Sequence, residues 1–286
     1  MNDHTPVLLH EVIEALSVQS GRKYIDATVG MGGHAVEVVK RGGIVLGIDR
    51  DKESLDQLKI TSHELRVGTS HLILAHGSFR DIKEIAYSHT FAPVHGIMFD
   101  LGFSSWQLEK GGRGFSFMKD ELLDLRFDPE TTDTTGSELL NRSSREELTA
   151  LFARYGEMYE AEKIAELVVK NRPIERTTHL NALIAKNLTD HTVYGILARI
   201  YQALRIAVNE ELQHIEIGLL ESIDLLAPGG RLCVISFHSL EDRIVKLTFK
   251  DPRLSVVTKK PITATKEEIQ KNSRSRSAKL RIAQKI

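Results

Sequence analysis

The sequence predicts an α/β protein built on an open, mostly parallel sheet that a long helical insertion interrupts. Three observations carry this. Apolar runs and helical patterns alternate as β-α-β-α-β-α-β over the first hundred residues. A glycine-rich turn follows the first run, and later runs end in Asp49 and Asp100. From about Ser105 to Arg205 no strand pattern is present, and beyond it the sheet pattern returns.

Each element follows from local pattern. Residues 7–16, after Pro6, are amphipathic and read as a short helix. Residues 24–29 form an apolar strand that runs into Gly30-Met31-Gly32-Gly33, and residues 34–40 read as a helix stopped by Gly42-Gly43. Residues 44–48 are a second strand closed by Asp49, 51–60 a helix, and 71–75 a third strand. A polar stretch leads to a fourth strand at 96–99, closed by Asp100. In the insertion, Ala161, Ile164, Ala165 and Val168 share one helical face, and residues 180–188 and 196–208 also read as helices. A helix at 209–226 carries Leu212, Ile215, Leu219, Ile223 and Leu226 at helical spacing and stops at Pro228-Gly229-Gly230. Residues 231–237 are a fifth strand, with two further β segments at 254–258 and 279–283. The expected organisation is a first sheet part at 1–104, a helical insertion at 105–205 and a second sheet part at 206–286.

Composition bounds the function. Hydrophobic residues are 41% and charged residues 27% of the 286, a globular balance that excludes a disordered or fibrous chain. No apolar run is long enough to cross a bilayer and the first residues lack a signal-peptide pattern, so no membrane role and a cytoplasmic location are expected. A single cysteine, Cys233, excludes an internal disulfide and fits a reducing compartment. The net charge of −1 hides an asymmetry: from Lys259 onward nine Lys/Arg face two Glu, a net of +7, which leaves −8 on residues 1–258. A basic tail on an acidic body is either a polyanion contact or a solvated tail.

The glycine turn is the first chemical signal. A strand, a turn whose glycines let backbone approach a ligand, and a helix N-terminus come in sequence. Asp49, nineteen residues beyond Gly30, stands where a carboxylate can bind the ribose hydroxyls of an adenosine cofactor. The alternative is a tight βα turn with a helix-capping Asp. A nicotinamide site would place a third glycine at Ala35, a substitution such sites tolerate, so that cofactor stays open. Asp26 favours S-adenosylmethionine, whose ammonium needs an acidic partner near the loop.

The second signal is Asp100, at the crevice end of the fourth strand, in Asp100-Leu-Gly-Phe-Ser-Ser-Trp-Gln107. A carboxylate there can accept a hydrogen bond from an exocyclic amine, or it can cap a turn. Phe103 and Trp106 either stack on a base or join the core. His238, just past the fifth strand, can contact a base or phosphate, shuttle a proton, or satisfy loop backbone. Glu241 and Asp242 read as structural pairs with Arg243, and no His/Cys/carboxylate spacing argues for a metal. Arg113, Arg126 and Arg142 are candidate phosphate contacts or surface salt bridges, and Lys170-Asn171-Arg172 reads as a solvated helix end.

Many motifs in one order make the sequence resemble the ribosomal RNA small subunit methyltransferase H, or MraW, family. They are the segment from His4 to Glu11, Gly32-Gly33-His34, Ile48-Asp-Arg-Asp51, Asp100-Leu-Gly with Ser104-Ser105, Arg113-Gly-Phe-Ser-Phe117 and Leu123-Asp-Leu-Arg126. Tyr155-Gly-Glu157, Gln202-Ala-Leu-Arg-Ile206, Phe237-His-Ser-Leu-Glu-Asp242 and the stretch from Arg274 to Arg281 complete them. The resemblance implies a class I S-adenosylmethionine-dependent methyltransferase with a Rossmann-like, mostly parallel seven-stranded sheet and an inserted helical substrate-recognition domain. It implies methylation of N4 of a cytidine in the decoding region of 16S rRNA, within a small ribosomal subunit, and it leaves a homodimer open. Carried over by position, Gly32, Gly33, His34, Asp49, Phe79, Asp100 and Gln107 would contact the cofactor. Three departures touch the insertion: Trp106 where the family has Pro, Gly195-Ile-Leu-Ala-Arg199 where it has His-Pro-Ala-Thr-Arg, and Asp124-Leu-Arg-Phe127 where it has Asp-Met-Arg-Met.

The implied chemistry assigns roles. The cytosine N4 lone pair is delocalised and the sulfonium methyl already activated, so the protein supplies mainly alignment. Asp100 is expected to accept from N4 with a Leu101 or Gly102 carbonyl beside it, and His238 is the second catalytic candidate. Arg113, Arg126, Arg274 and Arg276 are the candidate RNA contacts. A methyltransferase with a protein or small-molecule substrate, and a non-catalytic scaffold, are the competing readings. The basic segment and large insertion disfavour the first of these, and Asp100 with its intact loop disfavours the second.

Overall fold

The computed structural model describes residues 6–64, 71–102, 112–187 and 193–286. Two compact units divide the chain: Met1–Gly102 with Leu212–Ile286, and Phe103–Glu211.

The first unit is a seven-stranded sheet, β1 (Lys23–Asp26), β2 (Ile44–Asp49), β3 (Leu72–His76), β4 (Val94–Asp100), β5 (Leu226–Ser236), β6 (Leu254–Val256) and β7 (Lys279–Lys285). Its order is β3-β2-β1-β4-β5-β7-β6. The first five strands pair in parallel, and β7 runs antiparallel to β5 and β6. This is the class I methyltransferase sheet that the resemblance implies.

The apolar runs are buried on both faces because helices cover both. On one face α1 (Leu9–Leu16), α2 (Gly33–Lys40) and α3 (Lys52–Glu64) bring Val12, Ile13, Ala35, Val38, Leu55 and Leu58 against Val45, Met98 and Ile235. On the other, α4 (Ile82–Ser88) brings Ile82 and Ala86 against Ile25, Leu46, Ile97 and Phe99.

The second unit is helical: α5 (Gly136–Arg142), α6 (Arg145–Tyr155), α7 (Ala161–Lys170), α8 (Thr177–Asn187) and α9 (Val193–Asn209) enclose Leu140, Phe152, Ile164, Ile184, Ile200 and Leu204. Capping boxes start two of them, Thr135 with Glu138 and Ser144 with Glu147, each closing two orphan backbone donors. The chain then returns through α10 (Glu211–Leu225), with α11 (Ser239–Thr248) after β5 and α12 (Lys266–Lys271) before β7.

Several expectations need correction. The helix expected at 209–226 begins at Glu211, because Glu210 adopts a left-handed φ of 50° that breaks it from α9. The unit boundary accordingly lies at Glu211, where the pattern suggested 205. Pro228-Gly229-Gly230 does not terminate a helix but lies within β5. Gly229 (φ 79°) and a register shift between Val94 and Gly96 let the strand accommodate it. The first strand ends at Asp26, short of 29. Arg172 is no solvated end: it donates to the carbonyls of Leu140 and Ser143 and closes the C-terminus of α5.

Candidate active site

Three neighbouring strands end in a carboxylate: β2 in Asp49, β1 in Asp26 and β4 in Asp100. Parallel strands present their C-terminal ends on one side, so the three acids gather there. Asp49 is a loop anchor. Its Oδ2 accepts the Gly30 N–H at 2.7 Å and its Oδ1 the Asp51 N–H at 2.9 Å. Asp26 Oδ1 accepts the Thr28 N–H at 3.2 Å, and Thr28 Oγ1 in turn accepts the Asp100 N–H at 2.7 Å, tying β1 to β4. Asp100 Oδ1 is buried and has no hydrogen-bond partner among the described residues.

The electrostatics favour a cationic ligand. Burial pushes the Asp26 carboxyl up to about 8, against the Thr28 N–H, with the charges of Asp100 and Asp49 adding to the rise. Burial lifts Asp100 to about 7; Arg274 opposes this and Glu241 adds to it. Burial raises Asp49 as well, against its bonds from Asp51 and Gly30. Three carboxyls held away from their charged form are a site that gains when a positive group enters.

The glycine loop is shaped by packing. Gly32 caps α2 with φ 78°, and a Cβ there would sit 2.4 Å from Leu58 Cδ1. At Gly33 a Cβ would sit 2.2 Å from Pro6 Cγ. His34 Nε2 lies 3.0 Å from the Val7 carbonyl, and burial pushes its ring down to about 4, so the neutral ring donates to that oxygen. Gly33 and His34 therefore bind the segment at Pro6–Leu8 to the loop, a duty that the sequence did not disclose, while Gly32 packs on Leu58.

Phe79 opens the short 3-10 turn Phe79–Asp81 after β3, beside the β2 end. Its ring meets Phe99 edge-on at 5.6 Å, and the Arg50 guanidinium lies 5.6 Å from its centroid. Gly218 of α10 gives it room, since a Cβ there would be 2.6 Å from the Phe79 carbonyl. Gln107, Phe103 and Trp106 lie outside the described residues.

At the end of β5, His238 caps α11 in a capping box with Glu241. Glu241 Oε2 accepts the N–H groups of Phe237 at 2.7 Å and His238 at 3.2 Å. Asp242 pairs with Arg281 (Nε–Oδ1 2.5 Å) and Lys246 at 3.3 Å, where Arg243 was expected. Arg274 is half-buried and Arg276 exposed in the turn Ser273–Ser277 ahead of β7.

Two of the expected phosphate contacts are committed within the helical unit. Arg126 holds Asp124 through two bonds, at 2.8 and 2.7 Å, and donates to the Thr132 carbonyl. Arg113 donates to the carbonyls of Arg126 and Phe127. Their donors hold the 113–132 segment together. Arg142, on the exposed face of α5, pairs with Glu138. Sequence reasoning did not single out Thr28, which bonds both Asp26 and Asp100, or Arg50, which lies over Phe79; their signal was adjacency to the strand-ending acids.

Comparison with known proteins gives a consistent result. The model of the MraW methylase family matches residues 1–286. Ribosomal RNA small subunit methyltransferase H of Thermomicrobium roseum is 42% identical, over 99% of this chain and 94% of that protein. The protein of the same name from Caldicellulosiruptor saccharolyticus is 40% identical over 100% of both. Among solved structures, a SAM-dependent O-methyltransferase from Thermotoga maritima aligns with TM-score 0.44 and 10% identity, over 100% of this chain and 68% of that one.

Proposed function

The chain belongs to the MraW methylase family, and from that premise we propose that it methylates N4 of a cytidine in the decoding region of 16S rRNA with S-adenosylmethionine as cofactor. The observation that carries the site is the buried, unpartnered Oδ1 of Asp100 at the end of β4.

The residues fit the cofactor. The acids at the ends of β1, β2 and β4 suit its sulfonium and ammonium charges, with Asp49 beside the ribose. Gly32, Gly33 and His34 line the methionine portion, Phe79 offers a ring to the adenine, and Gln107 completes the set. When bound, the cofactor supplies an activated methyl on sulfur. The chain supplies alignment: Asp100 accepts a hydrogen bond from the N4 amino group and receives its surplus proton, with the Leu101 or Gly102 carbonyl as a second acceptor. The target base leaves its stack to reach this pocket. The helical unit is the substrate-recognition domain, and the basic segment from Lys259 onward holds RNA phosphates through Arg274 and Arg276. The substrate is rRNA in a small ribosomal subunit, and the enzyme works in the cytoplasm. Among the described residues no helix is long and apolar enough to cross a membrane.

Asp100→Ala should abolish methyl transfer while cofactor-free stability is retained. Nucleoside mass spectrometry of small-subunit rRNA treated with either protein reads the outcome, and near wild-type turnover in the variant refutes the assignment.

A further inference from the structure

Thr265-Lys-Glu-Glu268 has the spacing of a capping box, in which the fourth side chain returns to the backbone N–H of the first. At Thr135 and Ser144 the corresponding carboxylates make that return bond. Here the box is divided. Thr265 Oγ1 accepts the Glu268 N–H at 3.2 Å, but Glu268 Oε1 accepts the N–H of Leu8 at 2.8 Å, 260 positions away in the chain.

Leu8 depends on that acceptor. It precedes α1 with a left-handed φ of 52°, is 0% exposed, and has an apolar side chain that closes no orphan donor. A buried N–H that loses its acceptor bears the full desolvation of the group, and an ionised acceptor makes the stronger bond.

The same short strap lies on the glycine loop. Pro6 packs so closely on Gly33 that a Cβ there would meet its Cγ at 2.2 Å, and the Val7 carbonyl is 3.0 Å from His34 Nε2. The far end of the chain is anchored in turn. Ile262 and Leu280 exchange two backbone bonds, of 2.9 and 2.8 Å, which join the stretch ahead of α12 to β7. One series of contacts thus runs from β7 through Glu268 and Leu8 to Gly33 and His34.

Resting on the reading that Gly32, Gly33 and His34 hold the methionine portion of the cofactor, we infer that Glu268 is a positioning residue of the cofactor site. It fastens the Pro6–Leu8 strap against the glycine loop, so that the basic C-terminal segment sets the affinity for S-adenosylmethionine. Loss of its bond lowers the fraction of molecules with the strap in place, and the apparent affinity falls with that fraction. Once the cofactor is bound the strap is held, and the chemistry at Asp100 proceeds as before.

The test titrates S-adenosylmethionine calorimetrically into full-length wild type, Glu268→Ala, Glu268→Gln, Glu267→Ala and Gly33→Ala. Methyl transfer to small ribosomal subunits is measured in parallel over a range of cofactor concentration. Glu268→Ala should raise the Kd and the cofactor KM roughly tenfold, with kcat at saturating cofactor within about twofold of wild type. Glu268→Gln keeps a carbonyl oxygen for the Leu8 N–H and should recover most of the affinity. Glu267→Ala removes an equal charge from an exposed position of the same turn and should leave the Kd within about twofold of wild type. An unchanged Kd in Glu268→Ala, an equal rise in Glu267→Ala, no recovery in Glu268→Gln, or a loss in kcat in place of KM each overturns the inference. Gly33→Ala separates it from the reading beneath it. Weaker binding there with an unchanged Kd in Glu268→Ala refutes the inference alone, whereas unchanged affinity in Gly33→Ala refutes the loop reading and the inference with it. Glu268→Asp, one carbon shorter, carries the same readings if Glu268→Ala does not fold.

Discussion

Replacing Asp26 with Asn isolates the electrostatic cost of the strand-end acids. The Asn carbonyl oxygen can keep the bond from the Thr28 N–H, so the substitution removes charge and little else. Burial, with the neighbouring Asp100 and Asp49 adding, raises the carboxyl from 3.8 to about 8. The folded state therefore holds a proton that the unfolded chain releases between those values. Stability from this group is complete below about pH 4 and declines by up to about 1.4 kcal/mol per pH unit until about pH 8. From pH 5 to 8 the ceiling is about 4 kcal/mol, and local relaxation with water entry brings the expected loss to about 2 kcal/mol. Asp100 and Asp49 push in the same direction in both proteins, so the difference between wild type and Asp26→Asn reports Asp26. Urea midpoints of the cofactor-free proteins at pH 5, 6.5 and 8 measure it. The variant's advantage over wild type should widen by about 2 kcal/mol between pH 5 and pH 8. Saturating S-adenosylmethionine should shrink the gap, because its positive charge favours the ionised acid. Parallel midpoints across the range refute the reasoning.

Three further outcomes follow from the same geometry. Gly33→Ala forces a Cβ to within 2.2 Å of Pro6 Cγ, so it should cost about 1–3 kcal/mol and weaken cofactor binding, read by thermal melts and titration calorimetry. Arg281→Ala strips the nearly buried Asp242 of its closest partner and leaves Lys246 alone, an expected loss of about 3 kcal/mol in chemical denaturation. Neutralising Arg274 and Arg276 together should weaken RNA binding and flatten the slope of log K against log salt by about 1–2, with cofactor affinity nearly unchanged.

The parts of the fold legible in the sequence are those whose residues answer to one constraint. Residues 44–48 are apolar because both faces of β2 are covered, and a short continuous apolar run is what two covered faces demand. Ala161, Ile164, Ala165 and Val168 are all buried because one helix face meets one core. Elements held by caps were harder to read. The boxes at Thr135 and Ser144 are four-residue signals in polar sequence, and they were missed although they start α5 and α6. At the site, Asp49 and Asp100 were legible because strand-ending acids are local. The bonds of Arg113 and Arg126 within the helical unit were not, since contacts such as Arg113 with the Phe127 carbonyl are not encoded in spacing. Likewise, that His34 reaches back to Val7 is a tertiary fact.

The ladder between β4 and β5 also bears on how the molecule is made. Asp100 pairs with Ile235, and the whole helical unit lies between them in the chain. Strands β1 to β4 can assemble from near neighbours, whereas β5 joins only after a very long loop closes. Each doubling of such a loop adds just ~0.6 kcal/mol of entropy, so the cost falls on rate more than on stability. Because Asp100 and Ile235 lie on opposite sides of that late contact, the setting that buries the Asp100 carboxyl is completed in the slow step. An intermediate can thus hold the glycine loop, Asp26 and Asp49 in order while the place for the nucleotide does not yet exist.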